Sequence, residues 1–204
     1  MAPTGAKDGS RRSPKWQERR DAIIDTSARL FAARGYHATG INDLCEGNDL
    51  GKGALYHYIG SKEELLVAIH DRVMDEVMVG ADRVVETGGT PPEQLAALGE
   101  ELLDVIHRYP DHVWVFLHEF RSLQGEAADE FRKSRRVFEQ AIEQILQDGV
   151  DAGEFIIDSP RLAALGWLGL HNYTYIWFND KGPFSADDIA DHFAAIFLQG
   201  VTIR

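Results

Sequence analysis

Residues 51–66 read GKGALYHYIGSKEELL, which places Lys52 between Gly51 and Gly53, three ring-bearing side chains soon after, and then a serine that opens a helical run. Glycines beside a lysine suit phosphate, because bare backbone N–H groups can approach its oxygens closely and the ammonium adds a full charge. A nucleotide-binding loop of this kind needs four residues between its glycines, then Gly-Lys-Ser/Thr, all after a buried strand. Here three residues separate Gly47 from Gly51, Gly53 stands where the hydroxyl residue belongs, and the preceding segment has helical period. The nucleotide reading fails on all three counts. What remains is a phosphate in a nucleic-acid backbone, with Tyr56, His57 and Tyr58 as ring donors at the duplex surface.

A second group of polar residues lies among dense aromatics in WVFLHEFRS and LAALGWLGLHNYTYIWF. Trp167, His171 and Tyr175 fall at i, i+4 and i+8 and so share a helix face, as do Trp114, His118 and Ser122. Two such faces opposed would make an apolar cavity with a few polar fixings, so Trp114, His118, Trp167, His171 and Tyr175 are the candidate effector pocket. The competing reading is that the stripes are core and the histidines merely hydrogen-bonded there. Metal chemistry has little support, since no His-x-x-x-His pair exists, and the HEF at 118–120 lacks the second histidine of a zinc-protease motif. No catalytic set is visible and no cofactor is implied. A helical enzyme using His118 and Glu119 is the rival, but it leaves the first 66 residues unexplained.

The elements that must position these residues are helices. Ile23, Ser27, Leu30 and Phe31 sit at helical spacing within 16–34, and Gly35 stops that helix. A short second helix opens at Thr39 or Gly40, GNDLG at 47–51 is a turn, and a third short helix covers 52–59. Ser61 and Glu64 form a capping box for a fourth helix running to about residue 79. ETGGTPPEQ at 86–94 is the clearest break. Helical period then returns over 95–105, 111–123, 126–152 and 160–179, and Ser185 caps a last helix. Strand-like alternation appears nowhere at length. The expected fold is all-α, with about nine helices, divided into an arm (1–14), a helix-turn-helix unit (15–62), a connecting helix (63–85) and a larger helical unit (86–204).

The 204 residues carry 44% hydrophobic side chains, ample for a buried core, and a net charge of −12 that taken alone argues against a polyanionic partner. The distribution of that charge reverses the conclusion for one end, since residues 1–62 are net +3 and residues 81–204 net −11. One cysteine, Cys45, excludes an internal disulfide framework and a cysteine-based zinc cluster. No apolar run spans a bilayer and no signal-peptide core is present, so a cytoplasmic protein without a membrane partner is expected.

A short helix, a turn and a second short helix behind a longer support is the layout of a helix-turn-helix whose second helix enters the major groove. FAARGYHATGINDLCEGNDLGKGALYHYIGSKEELL (31–66) resembles the signature of TetR-type bacterial transcriptional repressors: Phe-Ala-x-Arg-Gly-Tyr, Ala-Thr, Lys-Gly-x-Leu-Tyr-x-Tyr and Ser-Lys-Glu-x-Leu. The resemblance implies an N-terminal DNA-binding domain and a larger helical domain that dimerises and binds a small effector. By position it implies that Thr39 and Lys62 clamp backbone phosphates, with Gly51, Lys52, Gly53, Tyr56, His57 and Tyr58 on the groove. Arg11, Arg12 and Lys15 are candidates for a minor-groove arm. Asp49, Gly51 and Ile59 depart from the usual glycine, Ser/Thr and phenylalanine, and Asp49 brings a carboxylate near the DNA. Residues 162–178 are apolar nearly all round and 187–201 add a second face, which predicts a homodimer through the last two helices. GVDAGEF and IWFNDKGPFSADDIADHFAAIFLQG look like a branch of these repressors that controls fatty-acid or steroid breakdown and responds to acyl-coenzyme A. The expected function is therefore a regulator released from a palindromic double-stranded operator by an apolar or acyl-CoA effector. The remaining alternative is a ligand-binding protein with a degenerate DNA domain.

Overall fold

Local capping sets where the chain turns. In the computed structural model, which describes residues 13–179 and 181–201, Ser13 caps α1 (Pro14–Arg34) by accepting the Trp16 amide. Gly35, at φ 85°, ends α1 by donating its N–H to Phe31 O at 2.7 Å. Helices α2 (Ile41–Gly47) and α3 (Lys52–Ile59) flank a turn in which Asp49 takes φ 51°, a left-handed conformation that aspartate tolerates better than most residues. Gly60 then bends the chain at φ 70°, and the Glu64 carboxylate occupies the space a Cβ there would need. Ser61 caps α4 (Lys62–Thr87) by accepting the Glu64 amide at 3.0 Å. Only that half of the expected capping box forms, because the Ser61 N–H is already bonded to Ile59 O.

The fourth helix runs to Thr87, eight residues past its expected end, since the stop comes at Gly88 and Gly89, both at positive φ. The Pro-Pro pair opens α5 (Pro91–Arg108) behind a Thr90–Glu93 capping box. There follow α6 (Pro110–His118), a 3-10 turn at Phe120–Ser122, and α7 (Gly125–Asp151). The expected single helix over 160–179 is two, α8 (Pro160–Asn172) and the four-residue α9 (Thr174–Trp177), meeting at Tyr173. Before α10 (Ala186–Val201), Ser185 and Asp188 cap each other reciprocally, with the Asp188 amide 3.1 Å from Ser185 Oγ. With α8 and α9 taken as one bent rod, the described residues hold nine helices and no strand, as the periodicity predicts.

Two apolar cores result. Ile23, Phe31, Leu44, Leu55 and Leu66 close α1 to α3 over the start of α4, and Val115 from α6, Leu123, and Phe131 from α7 seal this core from the other side. The second core joins the later turns of α4 to α5, α7, α8 and α10 through Val77, Leu98, Leu102, Ile142 and Trp167. Each fully buried side chain of this size contributes roughly 1.5–3 kcal/mol. Phe116, on α6, packs against both cores.

Candidate nucleic-acid interface and ligand cavity

At the N-terminal end of α3 the amides of Lys52, Gly53 and Ala54 have no carbonyl one turn back to accept them. No side chain caps that end, and a Cβ built on Gly51 or Gly53 would meet nothing within 4 Å. Gly51 has φ −74°, so backbone strain does not require glycine there. The bare surface is therefore free of any internal use and open to an outside phosphate. Lys52, Tyr56 and His57 are exposed around it, while Leu55 and Ile59 are buried beneath.

The two flanking clamps behave differently from expectation. Thr39 is fully buried, and its hydroxyl donates to Gly35 O at 2.9 Å, so it braces the corner between α1 and α2 instead of facing outward. Lys62 Nζ donates to Tyr36 O at 2.6 Å and lies 4.1 Å from the Tyr36 ring centroid. Partial burial pushes the Lys62 pKa below the ordinary lysine value, against opposing pulls from Glu119 and Asp43. In this conformation both clamps are spent inside the protein, because each finds a backbone carbonyl within reach. Tyr58 is half-buried and packs on Trp16, with ring centroids 5.4 Å apart.

Trp16 was not among the residues the spacing singled out, yet its Nε1 donates to His57 Nε2 at 3.2 Å. This bond fixes the neutral His57 ring with its remaining proton on Nδ1. Arg19 Nη2 likewise reaches across from α1 to Asn48 O at 3.0 Å, tying down the turn. Both contacts join residues roughly thirty to forty positions apart, beyond the reach of any local pattern. Of the candidate arm, Lys15 lies exposed on the first turn of α1, and Arg11 and Arg12 lie outside the described residues.

The five expected pocket residues do not line one cavity. Trp167 and His171 are 1% exposed and packed against α5, where a Cβ on Gly99 would come within 2.8 Å of His171 Nε2. Burial lowers the His171 pKa to about 4, although the bond between its Nδ1 and Trp167 O works the other way. Trp114 instead stacks on the exposed His118, whose Nε2 lies 3.0 Å from Tyr175 Oη. Trp167 and His171 share a face of α8 that packs inward, whereas the break at Tyr173 puts Tyr175 on α9, half-buried beside His118.

One apolar cavity, tight in this conformation with about 50 Å³ of free room, is lined from five helices. Its walls are apolar: Val73, Met74 and Val77 of α4, Leu102 and Ile106 of α5, and Phe116 of α6. Arg135 and Glu139 of α7 and Asn172 of α8 supply its polar groups. Phe116 is the informative wall, since its other contacts are with His70 and Phe131 at the edge of the first core. One turn farther on, Glu119 Oε1 accepts the Tyr36 N–H at 2.9 Å, and Tyr36 is also the residue that Lys62 holds by its carbonyl. Glu119 thus connects the cavity's α6 wall to the helix-turn-helix corner. His118 and Glu119 point to different partners and form no joint acid–base site.

On the outer side of α8 and α9, Leu162, Leu165, Tyr173, Ile176 and Trp177 are between 43% and 69% exposed. A Cβ on Gly166 or Gly169 would meet nothing within 4 Å. Ile196 adds an exposed apolar side chain on α10. Large apolar side chains beside bare glycines make a surface that another helix can approach closely.

Residues 23–69 match the family described as bacterial regulatory proteins, tetR family, and residues 88–201 match the tetracyclin repressor-like C-terminal domain. The HTH-type transcriptional repressor KstR2 of Mycolicibacterium smegmatis is 27% identical over 188 residues, which is 90% of this chain and 91% of that protein. The TetR family regulator PfmR from Thermus thermophilus superposes with a TM-score of 0.81 at 29% identity, covering 87% of this chain and 97% of its own. AibR, solved in complex with isovaleryl coenzyme A and operator DNA, superposes with a TM-score of 0.79 at 28% identity over the same shares.

Proposed function

Since the chain belongs to the TetR family of bacterial regulatory proteins, we propose that it is a homodimeric transcriptional repressor that leaves a palindromic operator when it binds an acyl-coenzyme A thioester. The observation that carries the DNA-binding half is the open end of α3, where Gly51 and Gly53 face empty space beside exposed Lys52. Backbone amides, a helix N-terminus and a lysine converge there on one phosphate. Two such helices in a dimer would enter major grooves about 34–36 Å or a multiple apart. Residues 15–62 then form the DNA-binding unit, 63–85 the connecting helix and 86–204 the effector-binding and dimerisation unit. The exposed apolar faces of α8, α9 and α10 join the two copies, and the protein works in the cytoplasm.

The effector half rests on the shape of the cavity. Its apolar walls suit an acyl chain, and Arg135, Glu139 and Asn172 suit a thioester and amide groups. Outside it, Arg132, Lys133 and Arg136 offer partners for the phosphates of coenzyme A, and AibR is a relative crystallised with such a thioester. Arg136 is already held by Glu143 at 2.8 Å, so phosphate must compete with that carboxylate. An acyl chain that displaces Phe116 would move α6, draw Glu119 from Tyr36 and tilt the population away from the DNA-competent state. The test is fluorescence anisotropy of the gene's own upstream DNA, titrated with and without acyl-CoAs of graded chain length at fixed salt. Affinity for that DNA and its loss on adding one of these thioesters support the reading. Unchanged affinity at saturating thioester rejects the switch, and no preference for upstream over random DNA rejects the repressor.

A further inference from the structure

Three helical histidines spend the same ring nitrogen in the same way. Nδ1 of His70, His118 and His171 lies 2.8 Å from the carbonyl four residues back, on Leu66, Trp114 and Trp167 respectively. His57 on α3 does not follow them. Its Nδ1 bonds to no described residue, and the ring is held instead by Nε2, 3.2 Å from Trp16 Nε1 across 41 positions of chain.

An indole N–H can only donate, so Nε2 accepts, and the one proton of the neutral ring sits on Nδ1. An imidazole in water is not confined to that tautomer; which nitrogen carries the proton is set by the bond the other makes. Trp16 makes that choice for His57, and Trp16 is itself held. Ser13 accepts its amide at 3.3 Å in the first turn of α1, and its indole packs on the Tyr58 ring with centroids 5.4 Å apart. The His57 ring meets the indole edge-on, the two planes 87° apart.

Leu55 and Ile59 are buried beneath α3, and at 3.6 residues per turn the side of the helix directly away from them centres on Gly53 and His57. His57 is exposed there, and Gly53, one turn back, leaves open space beside it. The outermost line of α3 thus presents a ring with one unspent donor and its acceptor already taken.

Base edges in the major groove answer such a donor differently. Guanine shows two acceptors, N7 and O6, whereas adenine sets an acceptor beside a donor, thymine an acceptor beside a methyl group, and cytosine offers a donor. We propose that His57 selects guanine at one base pair of each half-site by donating Nδ1–H to N7 or O6, and that Trp16 is its positioning residue, acting by keeping the proton on Nδ1. The proposal rests on the reading of α3 as the helix that enters the major groove.

The experiment has two arms. Nitrogen-15 NMR of the free full-length protein should show an unprotonated His57 Nε2, and Trp16→Phe, which keeps a ring against Tyr58 but removes the donor, should move the proton toward Nε2. Selection from a randomised duplex pool at fixed salt and pH should give the wild type a guanine preference of roughly fivefold or more at one position per half-site. His57→Ala should erase that preference, Trp16→Phe should weaken it, and Trp16→Phe added to His57→Ala should change it no further. If Trp16→Phe does not fold, the wild-type tautomer and His57→Ala still decide. A guanine preference that survives His57→Ala, a loss of affinity spread evenly over all sequences, as for a phosphate contact, or a tautomer indifferent to Trp16→Phe overturns the proposal. A wild-type protein that enriches no sequence at all rejects the repressor reading, and this proposal with it.

Discussion

Lys52→Ala is the substitution whose consequence can be worked furthest. Lys52 is exposed at the open end of α3 and ion-pairs with no described residue, so its removal should cost the fold almost nothing. A dimer carries two copies. If each neutralises one phosphate, the slope of log affinity against log salt flattens by about 1.8, at about 0.9 per phosphate. Between roughly 50 and 200 mM salt the variant's affinity deficit should therefore shrink by roughly tenfold. Anisotropy titrations of a labelled operator at four salt concentrations measure the slope directly. Lys62→Ala is the companion, because the corresponding ammonium already donates to Tyr36 O at 2.6 Å. It should leave the slope unchanged and instead lower stability by about 2 kcal/mol, as expected for a hydrogen bond with a charged donor. An unchanged slope for Lys52→Ala would refute the phosphate assignment. A flattened slope for Lys62→Ala would mean that the Tyr36 bond opens when DNA docks.

Three further outcomes are expected. Glu119→Gln replaces a charged acceptor of the Tyr36 N–H with a neutral one, so operator affinity measured without effector should change less than the effector-induced drop, which should shrink several-fold in the same anisotropy assay. Phe116→Ala enlarges the cavity and removes contacts with both cores; a loss of about 3 kcal/mol in denaturant unfolding is expected, with tighter binding of bulkier acyl chains as the compensating sign. Acid should also destabilise the protein through His70 and His171, both lowered by burial to about 4 in the folded state from an unfolded value near 6.5. The unfolded chain takes up these protons first, so stability present above about pH 6.5 is lost as pH falls toward 4, by about 2 kcal/mol per histidine between pH 7 and 5. Unfolding curves at constant protein concentration check this, and His171→Phe should remove its share of the slope.

Wherever the deciding interaction is local, the chain's own order was enough. Gly35, the Pro91–Pro92 pair and the Ser185–Asp188 box end or begin helices through groups within four residues, and each does so in the structure. The glycines on either side of Lys52 likewise stand open in the structure, with nothing within 4 Å of a Cβ built on them. The fourth helix overran its expected end near residue 79; Gly80, just beyond, lies buried against Glu101 of α5, where a missing side chain lets two helices close together.

Helical period and capping signals thus determined an all-helical chain with a helix-turn-helix near its start, since a period of 3.6 and a cap are properties of consecutive residues. Tertiary structure alone decided which aromatic face turned inward, that Thr39 and Lys62 would be held by the protein's own carbonyls, and that the cavity would be walled by Phe116 and not by Trp167 and His171. Those outcomes depend on which helices pack together. Tyr36 with Glu119, or Trp16 with His57, meet across stretches of chain whose length carries no trace of the contact.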